Sequence, residues 1–195
     1  MFEIVVSRYK EDLAWTADYN YKFTIYNKGS DIDFPSIHLK NEGREAKTFL
    51  HHIIENYESI SDYTIFLQGN PFDHCRDLDR ILKNLPKSLE NLPYFSKGCY
   101  CLCHRILCES QEQLVKYNVF PEDFHNAFFE LSCKKFRYGS GAQYIVHKQN
   151  IQNKPLNFYK RMHDALLWDT HEPWSIERIW PSIFDRDDKY KCKII

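Results

Sequence analysis

Residues 68 to 74 read QGNPFDH. Four side chains with ligand atoms, Gln68, Asn70, Asp73 and His74, crowd around a glycine and a proline that turn the chain. A loop of this kind can hold a cation, a phosphate or a sugar hydroxyl, and two of its four polar groups are neutral amides. Two other clusters invite metal chemistry. HHIIE, residues 51 to 55, lacks the His-Glu-x-x-His order that sets two imidazoles and a base on one helix face, which argues against a metalloprotease. Cys99, Cys101, Cys103, His104 and Cys108 suggest zinc. The spacing of two to four residues between zinc ligands is poorly met, however, so buried thiols are the default.

The elements that must position these groups follow from periodicity. The apolar run FEIVVS at 2 to 7 is predicted as a strand, with a helix start near Glu11 to Trp15, and YKFTIYN at 21 to 27 as a second strand closed by Lys28, Gly29 and Ser30. EGREAKTFLHHIIENY follows, with Phe49, Leu50, Ile53, Ile54 and Tyr57 at helical spacing and Glu45, Thr48, His52 and Glu55 opposite. Tyr63 to Leu67 is the next strand. This order is that of an α/β domain with a mostly parallel central sheet flanked by helices, in which ligands bind at the carboxyl ends of strands. The polar clusters at 7 to 12, 27 to 31 and 68 to 74 all fall at such ends.

Downstream, LDRILKNL is predicted as a helix halted by Pro86, CYCLCHRILC as a strand, and the segment from Pro121 as a helix. GSGAQYIVHKQNI is predicted as a loop entering a strand. PLNFYKRMHDALLW reads as a helix, and WSIERIWPSIF as an amphipathic segment halted by Pro181. With 195 residues, 43% hydrophobic and 27% charged, the chain suits one soluble globular domain, residues 1–195. The formal net charge of −1 gives no electrostatic footprint for a nucleic-acid partner. No apolar run reaches the roughly 20 residues of a membrane span. Seven cysteines without an export signal point to reduced thiols and a cytoplasmic location.

Three segments, VVSRYKEDLAW, YNKGSD and the stretch from Asn41 to Asn70, resemble in order and spacing the large inverting glycosyltransferase family of GT-A fold. They cover roughly the first 75 residues. A closer likeness, over nearly the whole chain, is to a family known mainly as a domain of unknown function. It is carried by GREA (Gly43 to Ala46), HHI (His51 to Ile53), FLQG (Phe66 to Gly69), SGAQ (Ser140 to Gln143) and the run from Glu177 to Phe184. That likeness brings no activity with it.

The transferase resemblance implies a GT-A-like fold, with a nucleotide-binding half at 1–75 and an acceptor-side half at 76–195. It implies transfer of a sugar from a nucleotide sugar, most simply a UDP-sugar, to a hydroxyl of a glycan or other acceptor. Ser7, Arg8 and Glu11 would lie beside base and ribose, Asn27 would stand where the family reads uracil, and Arg44 or Lys47 would approach the diphosphate. Gln68 and Asn70 occupy the positions of the family's metal-binding Asp-x-Asp. Glu177 would be the catalytic base, with Asp164 and Asp169 in reserve. Gln143 would bond a sugar hydroxyl, and Trp168, Trp174 and Trp180 would stack on sugar faces. Because Gln68 and Asn70 are amides, two routes stay open. Either Asp73 and His74 hold Mn2+ or Mg2+, or Arg8, Lys28 and Arg44 neutralise the diphosphate without metal. A non-catalytic carbohydrate- or protein-binding module, and a metal-dependent hydrolase using Asp73 and His74, are the alternatives.

Overall fold

Alternation along two neighbouring strands divides the core. The strands are β1 (Phe2–Arg8) and β4 (Tyr63–Gln68). Ile4, Val6, Ile65 and Leu67 enter one apolar cluster, while Val5 and Phe66 enter the other. Successive strand side chains point to opposite faces, so a sheet that buries both sorts its residues this way. The computed structural model describes residues 1–90, 99–166 and 171–186. Trp168 and Asp169 lie outside the described residues.

The main sheet has the order β3-β2-β1-β4-β8-β5, adding β2 (Phe23–Asn27), β3 (Ile37–His38), β5 (Cys99–Cys101) and β8 (Tyr144–His147). The pairs from β3 to β4 are parallel, and β8 is antiparallel to both β4 and β5. A second sheet pairs β6 (Ile106–Ser110) with β7 (Lys135–Gly139). On one face of the main sheet lies α1 (Arg44–Asn56), covered in turn by α7 (Leu156–Ala165) and α8 (Glu172–Ile183). Leu78, Leu82, Leu85 and Leu89, from α2 (Leu78–Lys83) and α3 (Leu85–Glu90), pack on the other face. The short helices α4 (Gln111–Val115), α5 (Pro121–Phe128) and α6 (Lys148–Gln152) complete the chain. The molecule is thus a mixed α/β protein with a central, mostly parallel sheet flanked by helices.

Several local expectations need correction. The helix expected to start near Glu11 to Trp15 is a short 3-10 helix, Ala14–Asp18. Pro86 does not halt a helix but sits in the first turn of α3, where its missing N–H costs nothing. The cysteine segment is two strands in different sheets, because Leu102 donates to the Gln143 carbonyl and His104 to the His74 carbonyl, pulling the chain away between them. Pro181 lies inside α8, which runs on to Ile183. Thr48 and His52, expected on the polar face of α1, are buried, since α1 is enclosed by the sheet on one side and helices on the other.

Candidate functional site

The chain goes from β1 outward to β2 and β3, then crosses back through α1 to β4 on the other side of β1. The strand order therefore switches between β1 and β4, and a crevice at their carboxyl ends is the usual ligand site of such sheets. Register puts Ser7 beside Gln68 and Tyr26, and Arg8 beside Asn27. Antiparallel β8 begins opposite Phe66, which brings the SGAQ turn to the same end.

A cleft of about 350 Å³ opens there, lined by Ser7, Arg8, Glu11, Lys28, Arg44, Glu45 and Gln68, with Tyr9 and Asn41. A second hollow of about 410 Å³ shares Arg8 and Glu11 and is walled by Leu13, Ala14, Ala17, Ile32 and Phe34. Six residues singled out from sequence thus meet at one place, while Asn27, Asn70, Asp73, His74, Gln143 and Glu177 do not line it. Asn27 is fully buried beneath it, where its Oδ1 accepts from Arg8 Nη1 at 2.6 Å and from the Gly29 N–H at 3.0 Å. Asn70 donates to Asp73 Oδ2 at 2.8 Å. The His74 ring packs on Gly141 so closely that a Cβ there would come within 2.4 Å of it. Gln143 is fully buried and donates to the Pro71 carbonyl at 3.0 Å, tying the SGAQ turn to the QGNP loop.

Arg8 is immobilised rather than free. Nε donates to the Glu11 carbonyl at 2.9 Å, and Nη1 also reaches the Tyr9 and Ser30 carbonyls at 3.2 and 3.1 Å. These bonds knit the loops after β1 and β2 and fix a buried cation at the cleft. Gly29 makes this possible, because a Cβ there would stand 1.7 Å from the Tyr9 carbonyl oxygen. Glu11 Oε2 accepts from the Tyr9 and Lys10 N–H groups at 2.6 and 3.0 Å.

Lys28 is buried, and its ammonium donates to the carbonyls of Glu42, at 2.7 Å, and of Arg44. Burial holds its pKa down to about 8, partly offset by the Glu45 carboxylate. Arg44 stacks on Trp174 at 4.3 Å and stands 3.7 Å from Glu45. Its φ of +49°, directly after Gly43 at +58°, is a left-handed conformation that a non-glycine residue adopts only at some cost. Lys47 instead bonds Glu42 at 2.8 Å and the Leu166 carbonyl at 3.1 Å.

Glu177 reaches this end of the molecule but is engaged. Oε1 accepts from the Gly141 N–H at 2.7 Å and Oε2 from Arg178 at 2.6 Å, and the residue is 9% exposed. Trp180 is fully buried in the core, while Trp174 remains half exposed beneath Arg44. Asp164 is exposed, with His163 as its partner at 3.3 Å. The thiols of Cys75, Cys99, Cys101, Cys103, Cys108 and Cys133 are free. Among the described residues, no three His, Cys, Asp or Glu side chains converge in a group that could hold a metal ion, and no helix is long and apolar enough to cross a membrane.

Residues 4–194 match the family described as protein of unknown function (DUF3431). The chain belongs to this family. No curated protein and no solved structure matches it. The sequence pattern misses two parts of this DUF3431 site. Helical spacing puts Glu45 on the face of α1 opposite the apolar stripe, although it directly follows the Gly43-Arg44 helix entry that lies at the strand ends. Ile32 and Phe34, in the loop between β2 and β3, carry no pattern of their own.

Proposed function

We propose that this protein transfers a sugar from a nucleoside diphosphate sugar, most simply a UDP-sugar, to an acceptor hydroxyl, on a fold of GT-A type. The observation that carries the reading is the pair of adjoining hollows joined at Arg8 and Glu11, one largely apolar and the other bearing three fixed cations. A nucleoside has an apolar face and polar edges, which suits the hollow with Phe34 and Ile32. The diphosphate then reaches the cleft of Arg8, Lys28 and Arg44.

Sugar transfer requires charge to develop on the leaving diphosphate, and positioned cations in a half-enclosed cleft stabilise it without reorganising. The half-exposed Arg44 guanidinium suits bidentate bonding to phosphate oxygens, while Arg8, whose Nε and Nη1 are engaged, and Lys28 add positive charge. Gln68, at the end of β4, offers an amide to a sugar hydroxyl. The residues lining this cleft do not fit a hard divalent cation. Its carboxylates are Glu11, which holds backbone N–H groups, and Glu45, while Asp73 and His74 are engaged outside it. Charge neutralisation is therefore assigned to the three cations.

Thermal unfolding in the presence of UDP, other nucleoside diphosphates and UDP-sugars tests the reading, each with Mn2+, with Mg2+ and with chelator. UDP at a hundred times its dissociation constant stabilises the native state by about 2.7 kcal/mol. For a chain of this length that raises the midpoint by roughly 5–11 °C. The expected shift persists in chelator. A shift that needs Mn2+ would transfer the diphosphate to a metal, and no shift with any nucleotide would sink the transferase reading in favour of a binding module.

A further inference from the structure

Two carboxylates lie at the cleft end of α1 and α8, and their surroundings differ. Both oxygens of Glu177 are taken, one by the Gly141 N–H and one by Arg178. Glu45 lines the cleft with its side chain 12% exposed, and among the described residues no other side chain donates a hydrogen bond to it. Its nearest cation, Arg44, stands at 3.7 Å, outside hydrogen-bonding distance. The pair are near enough for Glu177 to act electrostatically on Glu45.

We infer that Glu45 is the group that accepts the proton of the attacking hydroxyl, and that Glu177 positions the SGAQ turn beside it. This rests on the sugar-transfer reading. The acceptor oxygen forms its bond to the anomeric carbon as its proton passes to a Glu45 carboxylate oxygen. The bond from that carbon to the diphosphate breaks, and the electron pair stays on the leaving nucleoside diphosphate, facing Arg8, Lys28 and Arg44. The proton returns to solvent when product leaves.

Environment favours Glu45 for this task. Burial raises its pKa and Glu177 adds to the rise, while Arg44, its own backbone N–H and Lys28 oppose it without cancelling it. A carboxylate made more basic by burial is a better proton acceptor near neutral pH than an exposed one. Across the cleft, Arg8 and Glu11 are the other charged groups facing it. The position is also stiff: Glu45 follows the left-handed pair Gly43 and Arg44 at the start of α1, so the helix fixes its direction into the cleft.

The test compares wild type, Glu45→Gln and Glu45→Asp, using calorimetric binding of UDP and the release of UDP from UDP-glucose, UDP-galactose and UDP-N-acetylglucosamine with a mixture of sugar acceptors. The expected result is a loss of at least about a hundredfold in UDP release by Glu45→Gln, with UDP affinity within about threefold of wild type. The acid limb of the rate-against-pH profile should vanish in Glu45→Gln and persist, at lower rate, in Glu45→Asp. If Glu45→Gln keeps more than a tenth of wild-type turnover, or loses affinity and rate in step, Glu45 is not the proton acceptor. A wild type that binds UDP but releases none from any donor overturns this assignment along with the transfer reaction, while leaving the nucleotide site standing. A wild type that does not bind UDP overturns both.

Discussion

Replacing Glu177 with Gln separates a loop anchor from an idle surface carboxylate. In the native protein Oε1 accepts from Gly141 at 2.7 Å, and Oε2 faces Arg178 at 2.6 Å. The side chains of Arg178 and Glu177 are only 12% and 11% exposed. Glutamine keeps an acceptor for Gly141 but turns an N–H toward the guanidinium. Removing one partner of a buried ion pair costs about 3–5 kcal/mol. Arg178 retains the Trp174 carbonyl at 3.0 Å, Glu109 at 3.8 Å and the Tyr138 ring at 4.7 Å, which softens the loss. The expected cost is therefore about 2–3 kcal/mol, a midpoint lowered by roughly 4–12 °C at this chain length. Glu177→Ala should cost more, since Gly141 then loses its acceptor as well. Scanning calorimetry of both variants decides. A Glu177→Gln midpoint within about 1 °C of wild type would refute the anchoring role, because no buried charge of this exposure loses its partner so cheaply.

Gly29→Ala should destabilise by more than about 2 kcal/mol in denaturant titration, since its Cβ meets backbone at 1.7 Å, whereas Gly69→Ala meets side-chain atoms of Glu11, at 2.6 Å and beyond, and should cost less. UDP affinity, followed by calorimetry from pH 7 to 10, should fall as pH rises through about 8. On the proposed reading Lys28 meets phosphate as the cation and loses its proton there, and Lys28→Met should bind weakly with no such dependence. Burial raises the Glu3 carboxyl, but the His52 ring, the Ser61 N–H and the Thr64 hydroxyl outweigh it and hold the pKa below its ordinary value. Glu3 therefore stabilises the fold above that ordinary value and loses its contribution as pH falls through the depressed one. Acid titrations of Glu3→Gln should accordingly show a shallower loss of stability than wild type.

Local pattern carries the first 75 or so residues of the chain. The apolar runs of β1, β2 and β4, and the heptad-like stripe of α1, each report their own burial, so their order and the polar ends between them are legible. Long-range pairing is not. Nothing within YIVH says that it enters antiparallel beside β4, yet that placement brings the SGAQ turn to the cleft. The same gap explains Asn27 and Gln143. Their amides look like ligand groups in sequence, and tertiary packing makes both of them internal ties. Glu45 fails in the opposite direction. A helical wheel sends it to solvent, and only the covering of α1 by α7 and α8 and the left-handed entry at Gly43 and Arg44 turn its face inward.

Costly features concentrate where the strands of the parallel half end. Arg44 holds a left-handed conformation worth roughly 1–2 kcal/mol of strain. Arg8 and Lys28 are cations less than 9% exposed, and Glu45 is a carboxyl that burial pushes up. Burying a charge costs unless it is paired and hydrogen-bonded, and here Arg8 and Lys28 offset part of that cost by donating to loop carbonyls. Away from this end the sheet faces are apolar, with Ile4, Val6, Ile65 and Leu67 on one and Phe49, Phe66 and Trp180 on the other, although Lys154 and His125 are also buried. Arg44→Gly separates strain from charge: glycine relieves the left-handed strain while the cation and its stack on Trp174 are lost. Its stability should stay within about 1 kcal/mol of wild type while UDP affinity falls at least about tenfold, and equal affinity would show that the cleft's charge serves the fold alone.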